Sequence, residues 1–529
     1  MIDLAIVLTY FVIIFVVAIS GRSEKNVTTE EYFLSNRNLK WYSIALSTIA
    51  TNINGYQFLG MMGSAYLYGL AQASLEINAV QGILMAAFIF VPMYLKDGII
   101  TITQFIQKRL GRRVALFYSI ANILLFATIT LGAALFWGAY AADLVFAEQL
   151  SFIHEDRIIR IAFLVFGLGV FSAIYTYLGG LAAVVKTDII QFTILLLGGF
   201  MVMFTAVYHL GGWSQLYIKT PQLMHLHLPS DHDKLPWIHI FGLFLLNINY
   251  WCANQTVIQR SLAARSLREA QKGLMLGGII KYIMAALIVI PGIALYGIMQ
   301  ENGTPLTEPD LAFPYLVKTY FPTGIKGIIL CALFASLMST VDSTFNSLAT
   351  LFSIDIYKGY INKNASDQEV VNAGRKTILF SLMTGVLMGF ILLYVKFENP
   401  EAAFTHTLNE LRYYINCGIV VLICSAAFLV VPNQKIALIA FLSTIPLHLI
   451  FKGFDFGFIL FEGFFPKMNY FVRAGWVIMI SFSILALGSW KNGFKKLNDI
   501  IYLQKESKSV QKIGLGLLFS LILLHIIFH

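Results

Sequence analysis

The chain has 529 residues, of which 58% are hydrophobic and only 12% charged, whereas an ordinary soluble domain carries about 25% charged residues. That composition excludes a soluble globular protein and predicts a polytopic membrane protein, for which domain counting by length has no meaning. The net charge of +9 invites nucleic acid as a partner, but the placement of the basic residues excludes it.

The first apolar run, 3–21, lacks a basic leading segment, carries Asp3 and ends without a small-residue cleavage site. It reads as a retained first span and not as a signal peptide. Further windows of about 18 or more apolar residues fall at 41–64, 72–95, 115–147, 158–178, 183–208, 237–257, 273–297, 325–353, 377–397, 402–432, 436–452, 470–490 and 512–528. With the N-terminus outside, the loops 22–40, 96–114, 258–272, 355–376, 433–435 and 491–512 are cytoplasmic and hold well over half of the 37 basic residues. The basic excess is therefore a positive-inside pattern, which places both termini on the extracytoplasmic side of a plasma membrane (the inner membrane in a Gram-negative cell).

Two spans are interrupted. The run STIATNINGYQFLGMMGS (47–64) is polar at Thr51-Asn52-Ile53-Asn54-Gly55, and Asn247–Gln255 is polar again about two hundred residues later. Backbone that leaves the helix at membrane depth is tolerated only where protein or a water-filled cavity satisfies it. A single break reads as a kinked span; two breaks at corresponding places point to a transporter's binding site. With the first span and the last three set aside, ten remain, and the breaks fall in the first and sixth. Five being odd, the two halves have opposite orientation, as an inverted repeat requires. The expected organisation is 1–40 (first span and cytoplasmic loop), 41–208 (first repeat), 209–236 (external loop), 237–432 (second repeat) and 433–529 (C-terminal spans).

The external loop holds His225, His227 and His232. Such spacing can hold a metal, but an external polar loop has the same composition, and that plainer reading is preferred. The four cysteines, Cys252, Cys331, Cys417 and Cys424, lie in apolar runs and imply no disulfide framework. Nothing in the sequence calls for an organic cofactor or fixes an oligomeric state; the expected partners are a small solute and the lipid bilayer.

Charged residues inside spans are costly and mark function by default. They are Glu76, Asp188, Lys281, Asp342 and Arg412, with Lys186, Glu410 and Arg473 near span ends. Glu76 and Lys281 either pair structurally or share a cavity with the amides of Asn52, Gln57 and Asn247, offering an acceptor and donors to hydroxyls. Ser336, Ser339, Thr340 and Ser343 share one helix stripe. Facing the carbonyls freed after Ala50, that stripe would make an oxygen cage for a small hard cation; the plain alternative is close packing of small residues.

The segments EEYFLSNRNLKWY (30–42), NINGYQFLGM (52–61), GGLAAVVKTDIIQF (179–192), NYWCANQTVIQRSLAARS (249–266) and STVDSTFNS (339–347) resemble the sodium/solute symporter family, most closely its sodium/glucose and sodium/galactose branch. The resemblance runs from about residue 30 to about 360, and more loosely to 420. It implies an all-α leucine-transporter fold, a five-plus-five inverted repeat with one extra N-terminal and about three extra C-terminal helices, and sodium-coupled import by alternating access. It further implies a principal sodium site at the carbonyls of Ala50, Ile53 and Ser336 with the hydroxyls of Ser339 and Thr340. Asp188, with Asp342 and Ser343, would serve a second sodium or sodium exit. Solute would meet Asn52, Gln57, Glu76, Asn247, Lys281 and Asn409, with Tyr250 and Trp251 as the inner gate and Met61 at the outer gate. The chain departs from that pattern at Leu75, Tyr56, Asp342, Asn409 and the run Arg412-Tyr413-Tyr414. The expected function is a sodium-coupled symporter of a monosaccharide or related polyhydroxylated solute. The alternatives are a sugar acid bound through Arg412, and a non-transporting membrane sensor. No nucleophile–base pair suggests an enzyme.

Overall fold

The computed structural model describes residues 2–20, 27–306, 308–398, 404–453, 468–490, 493–503 and 508–529, with backbone alone at 404–407 and 409. Among them the chain is almost wholly helical, with no strand beyond isolated bridges. Among the described residues eleven helices are long and apolar enough to cross a membrane. Two of these run through more than one crossing. Arg157–Leu210 turns at Gly180 (φ 54°), where a Cβ would lie 2.5 Å from the Tyr32 carbonyl; only glycine combines that left-handed backbone with that approach. The carbonyls of Thr176 and Tyr177 before the turn are satisfied by the Tyr32 hydroxyl, at 3.2 and 3.0 Å. Gln57–Asp97 turns likewise at Gly69 (φ 60°). The helices on either side of 249–253 are individually too short to count as spans. The crossings thus follow the order expected from hydropathy, including the two broken ones.

The first broken helix lies against Arg157–Leu210 and Leu267–Asn302, and the latter also packs on Lys508–Ile527 near the end of the chain. Ile325–Thr350 runs through the middle, buried from Gly327 onward with few exceptions, and packs along Arg157–Leu210 and Leu131–Leu150. It is the wall against which the broken helices meet. Ile2–Ile19 lies outside this core, with Leu8, Val12, Ile13 and Val16 exposed, as a lipid-facing helix would leave them. The helices Gln434–Phe451 and Tyr470–Gly488 pack on each other and on Phe404–Phe428.

One boundary differs from expectation. The sixth core crossing continues as Gln255–Leu262, and Arg260, counted from sequence among cytoplasmic loop charges, is fully buried. The polar run QTVIQR hid a buried helix turn because its low mean hydropathy resembles a loop.

Candidate functional site

The helix Trp41–Asn52 ends where Ile53 becomes extended (φ −95°, ψ 124°), and the chain resumes through a π-helical turn, Gln57–Met61. Asn54 N–H would ordinarily close onto the Ala50 carbonyl. It goes instead to Gln57 Oε1 at 2.8 Å. The Gln57 N–H likewise pairs with the Asn54 carbonyl at 3.0 Å and not with Ile53. The Ala50 and Ile53 carbonyls, two of the three that the resemblance assigns to the cation, are thus released from the helix ladder. Gly55 permits the break to press on the third core helix: a Cβ there would sit 3.3 Å from the Trp137 carbonyl.

Thr340, on Ile325–Thr350, faces this break. Its Oγ1 lies 3.1 Å from the Thr51 carbonyl, 3.4 Å from that of Ile53 and 3.3 Å from that of Ser336. One hydroxyl has one proton, so it cannot serve three acceptors together. Such a surplus of inward oxygens suits a small hard cation. Ser339 points from the same stripe to Asp188 Oδ1 at 2.5 Å, and Thr51 Oγ1 meets Ser343 Oγ at 2.8 Å. Ser336 turns its hydroxyl to the Leu333 carbonyl, leaving its own carbonyl to the site.

Asp188 does not pair with Lys186, whose Nζ reaches the Ser20 carbonyl. Its partner is Arg260, Nη2 to Oδ2 at 3.3 Å, both side chains without solvent exposure. Arg260 also donates to Ser343 Oγ, to the Thr256 carbonyl and, at 3.0 Å, to Ser47 Oγ, which itself donates to Asp188. Asp342 stands apart from this network: its carboxylate takes the hydroxyls of Ser172 and Tyr175. Asp188 and Ser343 are therefore brought together through a guanidinium, and Asp342 belongs to a separate hydroxyl pair.

On the other side of the break, Lys281 Nζ is bonded to Glu76 Oε2 and lies 2.6 Å from Asn52 Oδ1. Gln57 Nε2 reaches the Asn52 carbonyl at 3.0 Å, and Asn247 Nδ2 the Asn78 carbonyl at 2.9 Å. Trp251 lies beneath, its ring centroid 5.8 Å from Lys281 Nζ and 5.2 Å from the Tyr250 ring. The second break is a π-helical turn, Asn249–Ala253, followed by extended Asn254. Tyrosine hydroxyls satisfy its freed carbonyls, Tyr94 on Cys252 at 2.8 Å and Tyr118 on Ala253 at 3.0 Å. Met61 is buried at the end of the first break.

Between the two breaks lies a cavity of about 90 Å³ whose walls include Thr51, Asn54, Tyr56, Tyr250, Thr340 and Arg412. Thr340 thus serves both the oxygen cluster and the cavity.

This architecture has counterparts. The family model for the sodium:solute symporter family matches residues 32–443. The chain belongs to that family. A sodium/glucose cotransporter of Vibrio parahaemolyticus is 32% identical over 85% of this chain and 85% of its own length. Sodium/glucose cotransporter 1 of Ovis aries is 31% identical over 74% of this chain and 62% of its own. Among solved structures, a Na⁺-coupled sialic acid symporter in a substrate-bound outward-open state superposes with a TM-score of 0.79 at 21% identity. That match covers 94% of this chain and 99% of the other. The chain therefore has the leucine-transporter fold that the family resemblance implied.

In this chain the structure gathers Glu76, Lys281, Asn52 and Gln57 into one bonded cluster, with Asn247 on the neighbouring break. The side chain of Asn409 lies outside the described residues. Sequence reasoning missed Arg260, Ser47, Thr51 and Asn54. Arg260 lay within the QTVIQRSLAARS motif, and the usable signal was an arginine in a segment continuous with a broken span. The histidines of the external loop split up. His227 Nε2 meets His525 Nδ1 at 2.9 Å, while the His232 ring contacts Tyr68. Among the described residues no group of three or more His, Cys, Asp or Glu side chains is arranged to hold a metal.

Proposed function

We propose that the protein is a sodium-coupled symporter that imports a sugar-like, polyhydroxylated solute by alternating access. The observation that carries this reading is Thr340, whose hydroxyl faces the freed carbonyl of Ile53 and whose side chain also lines the central cavity. An ion held by the Ala50, Ile53 and Ser336 carbonyls with Ser339 and Thr340 would fix both ends of the first break against the eighth core helix. It would thereby shape the cavity wall that the solute meets. Each ligand then favours the conformation the other needs, which is the thermodynamic content of coupling.

The cluster of Glu76, Lys281, Asn52, Gln57 and Asn247 supplies donors and acceptors suited to hydroxyls, and Tyr250 with Trp251 forms its inner cover. The names of the 31–32% identical relatives, sodium/glucose cotransporters, point to the same solute class. The cavity is smaller than the roughly 300 Å³ at which small-molecule sites begin, so solute entry requires the helices around it to separate. The plasma membrane, with both chain ends outside, is the orientation the basic loops support.

The test is uptake into proteoliposomes of a panel of monosaccharides with sodium or potassium outside. Sodium-dependent accumulation of at least one member is expected. Solute binding without any sodium-driven flux would favour the sensor reading.

A further inference from the structure

The basic residue that separates this chain most clearly from the pattern of the sugar branch is Arg412, on Phe404–Phe428. Glu410 is the acid nearest to it in sequence, and a pairing there would make it a structural cation. The structure removes that partner. Glu410 Oε1 accepts from Arg473 Nη2 at 2.6 Å and from Lys452 Nζ at 3.0 Å. Of the acids that the sequence places inside spans, Glu76 is bonded to Lys281, Asp188 to Arg260, and Asp342 to the Ser172 and Tyr175 hydroxyls. Among the described residues Arg412 has no carboxylate partner, and its buried Nε has no hydrogen-bond partner of any kind. It lines the central cavity beside Tyr56 and Tyr250.

The pairs Glu76–Lys281 and Asp188–Arg260 cancel within themselves and Asp342 is held by neutral hydroxyls, while Arg412 is the one charged side chain on the described cavity wall and has no counter-ion in contact. A buried cation without a counter-ion is expensive. Sodium bound at the neighbouring Thr340 site would add a second positive charge to the same region and worsen it. An anionic solute offsets both. We propose that the solute is a carboxylate-bearing sugar, whose carboxylate is received by Arg412 while its hydroxyls meet the amides and the Glu76–Lys281 pair. The planar guanidinium offers a two-pronged donor set that matches a carboxylate. The inference rests on the symport reading above and narrows its substrate class. Tyr250 lies within electrostatic reach of both Glu76 and Arg412, so one sugar ring against it can address both groups.

The experiment measures ligand-induced thermal stabilisation of the purified, full-length protein in sodium and in potassium. The probes are glucose, galactose and mannose together with their three uronic acids. At least one uronate should stabilise the protein in sodium and not in potassium. Arg412→Gln should weaken that uronate tenfold or more. Arg412→Lys, which keeps the charge but loses the fork, should fall between the two. Sodium-dependent stabilisation by the neutral sugars alone, or uronate binding that survives Arg412→Gln within twofold, overturns the carboxylate assignment and leaves sugar symport standing. Absence of sodium-dependent stabilisation by all six probes counts against the parent reading itself.

Discussion

Arg260 and Asp188 form a fully buried ion pair, Nη2 to Oδ2 3.3 Å apart, and the pair is further bonded to hydroxyls of the first and eighth core helices. Ser47 and Ser339 complete Asp188, while Ser343 and the Thr256 carbonyl complete Arg260. The pair ties the first, fifth, sixth and eighth core helices together. Removing one member of such a pair strands the other, at a cost of about 3–5 kcal/mol. Asp188→Asn should therefore lower thermal stability sharply, whereas Ser343→Ala should cost only about 1 kcal/mol. Equal losses in a melting experiment would contradict the network.

Much of this site was legible in the sequence because the two breaks are made of residues that helices and lipid both resist. The polar runs at 51–55 and 247–255 located the two unwound stretches, and the hydroxyl spacing of Ser336, Ser339, Thr340 and Ser343 placed the facing stripe. The bond between Glu76 and Lys281 is also one that intramembrane charge suggested. Partner choice was harder to read. Lys186 lies two positions from Asp188, and Glu410 two from Arg412. Residues two apart on a helix point to different faces, so the true partners, Arg260 and Arg473, came from other helices. Arg260 escaped because a short helix rich in Gln, Thr and Arg has the composition of a loop.

Cation coupling is tested at Thr340. Thr340→Ala removes one ligand oxygen but leaves a small residue that the helix tolerates. The sodium concentration giving half-maximal uptake should rise about tenfold, equivalent to about 1.4 kcal/mol of cation binding, and Thr340→Ser should restore most of it. Unchanged sodium activation in the alanine variant would move the cation elsewhere.

The direct bond between Glu76 and Lys281 raises the question of whether the pair holds the fold or holds the solute. Glu76→Gln leaves Lys281 bonded to Asn52 with its charge uncompensated, so both stability and uptake should fall. The double variant Glu76→Gln, Lys281→Met removes the stranded charge. Stability should then recover by a few kcal/mol while uptake stays absent. Recovery of uptake along with stability would assign the pair a structural role only.

In the segment between the two repeats, burial and the neighbouring His529 lower the pKa of His227 below its ordinary value. The folded state thus favours the neutral ring, which exchanges a hydrogen bond with His525 at 2.9 Å. A histidine with a lowered folded pKa contributes stability that is complete above its unfolded pKa, about 6.5, and is lost as the pH falls below it. The helix Lys508–Ile527 should loosen from the loop between about pH 6.5 and 5. Faster amide exchange around His525 in acid, abolished as a pH effect in His227→Ala, is the expected signature. Exchange that ignores pH across that range would remove the histidine contact as its cause.

Charge stoichiometry joins the two arginines in one measurement. The Arg260 guanidinium already stands between Asp188 and Ser343, two of the three residues that the resemblance implies for a second sodium or sodium exit, which favours one sodium per solute. Arg412 favours a solute of charge −1. Together they make the transport cycle electroneutral. One sodium moving with a neutral sugar gains about 2.3 kcal/mol from 100 mV and about 1.4 kcal/mol from a tenfold gradient. One sodium moving with a carboxylate gains only the gradient, because the two charges cancel across the membrane. Accumulation of the acid should then follow the sodium ratio, about tenfold for a tenfold gradient, and an imposed potential should leave it unchanged. Parallel sodium and solute fluxes in proteoliposomes give the ratio directly, and valinomycin with a potassium gradient sets the potential. A flux ratio of one with no response to voltage is expected. Uptake that rises steeply with interior-negative potential at that ratio would require a neutral solute, and a ratio of two would require Arg260 to yield its place.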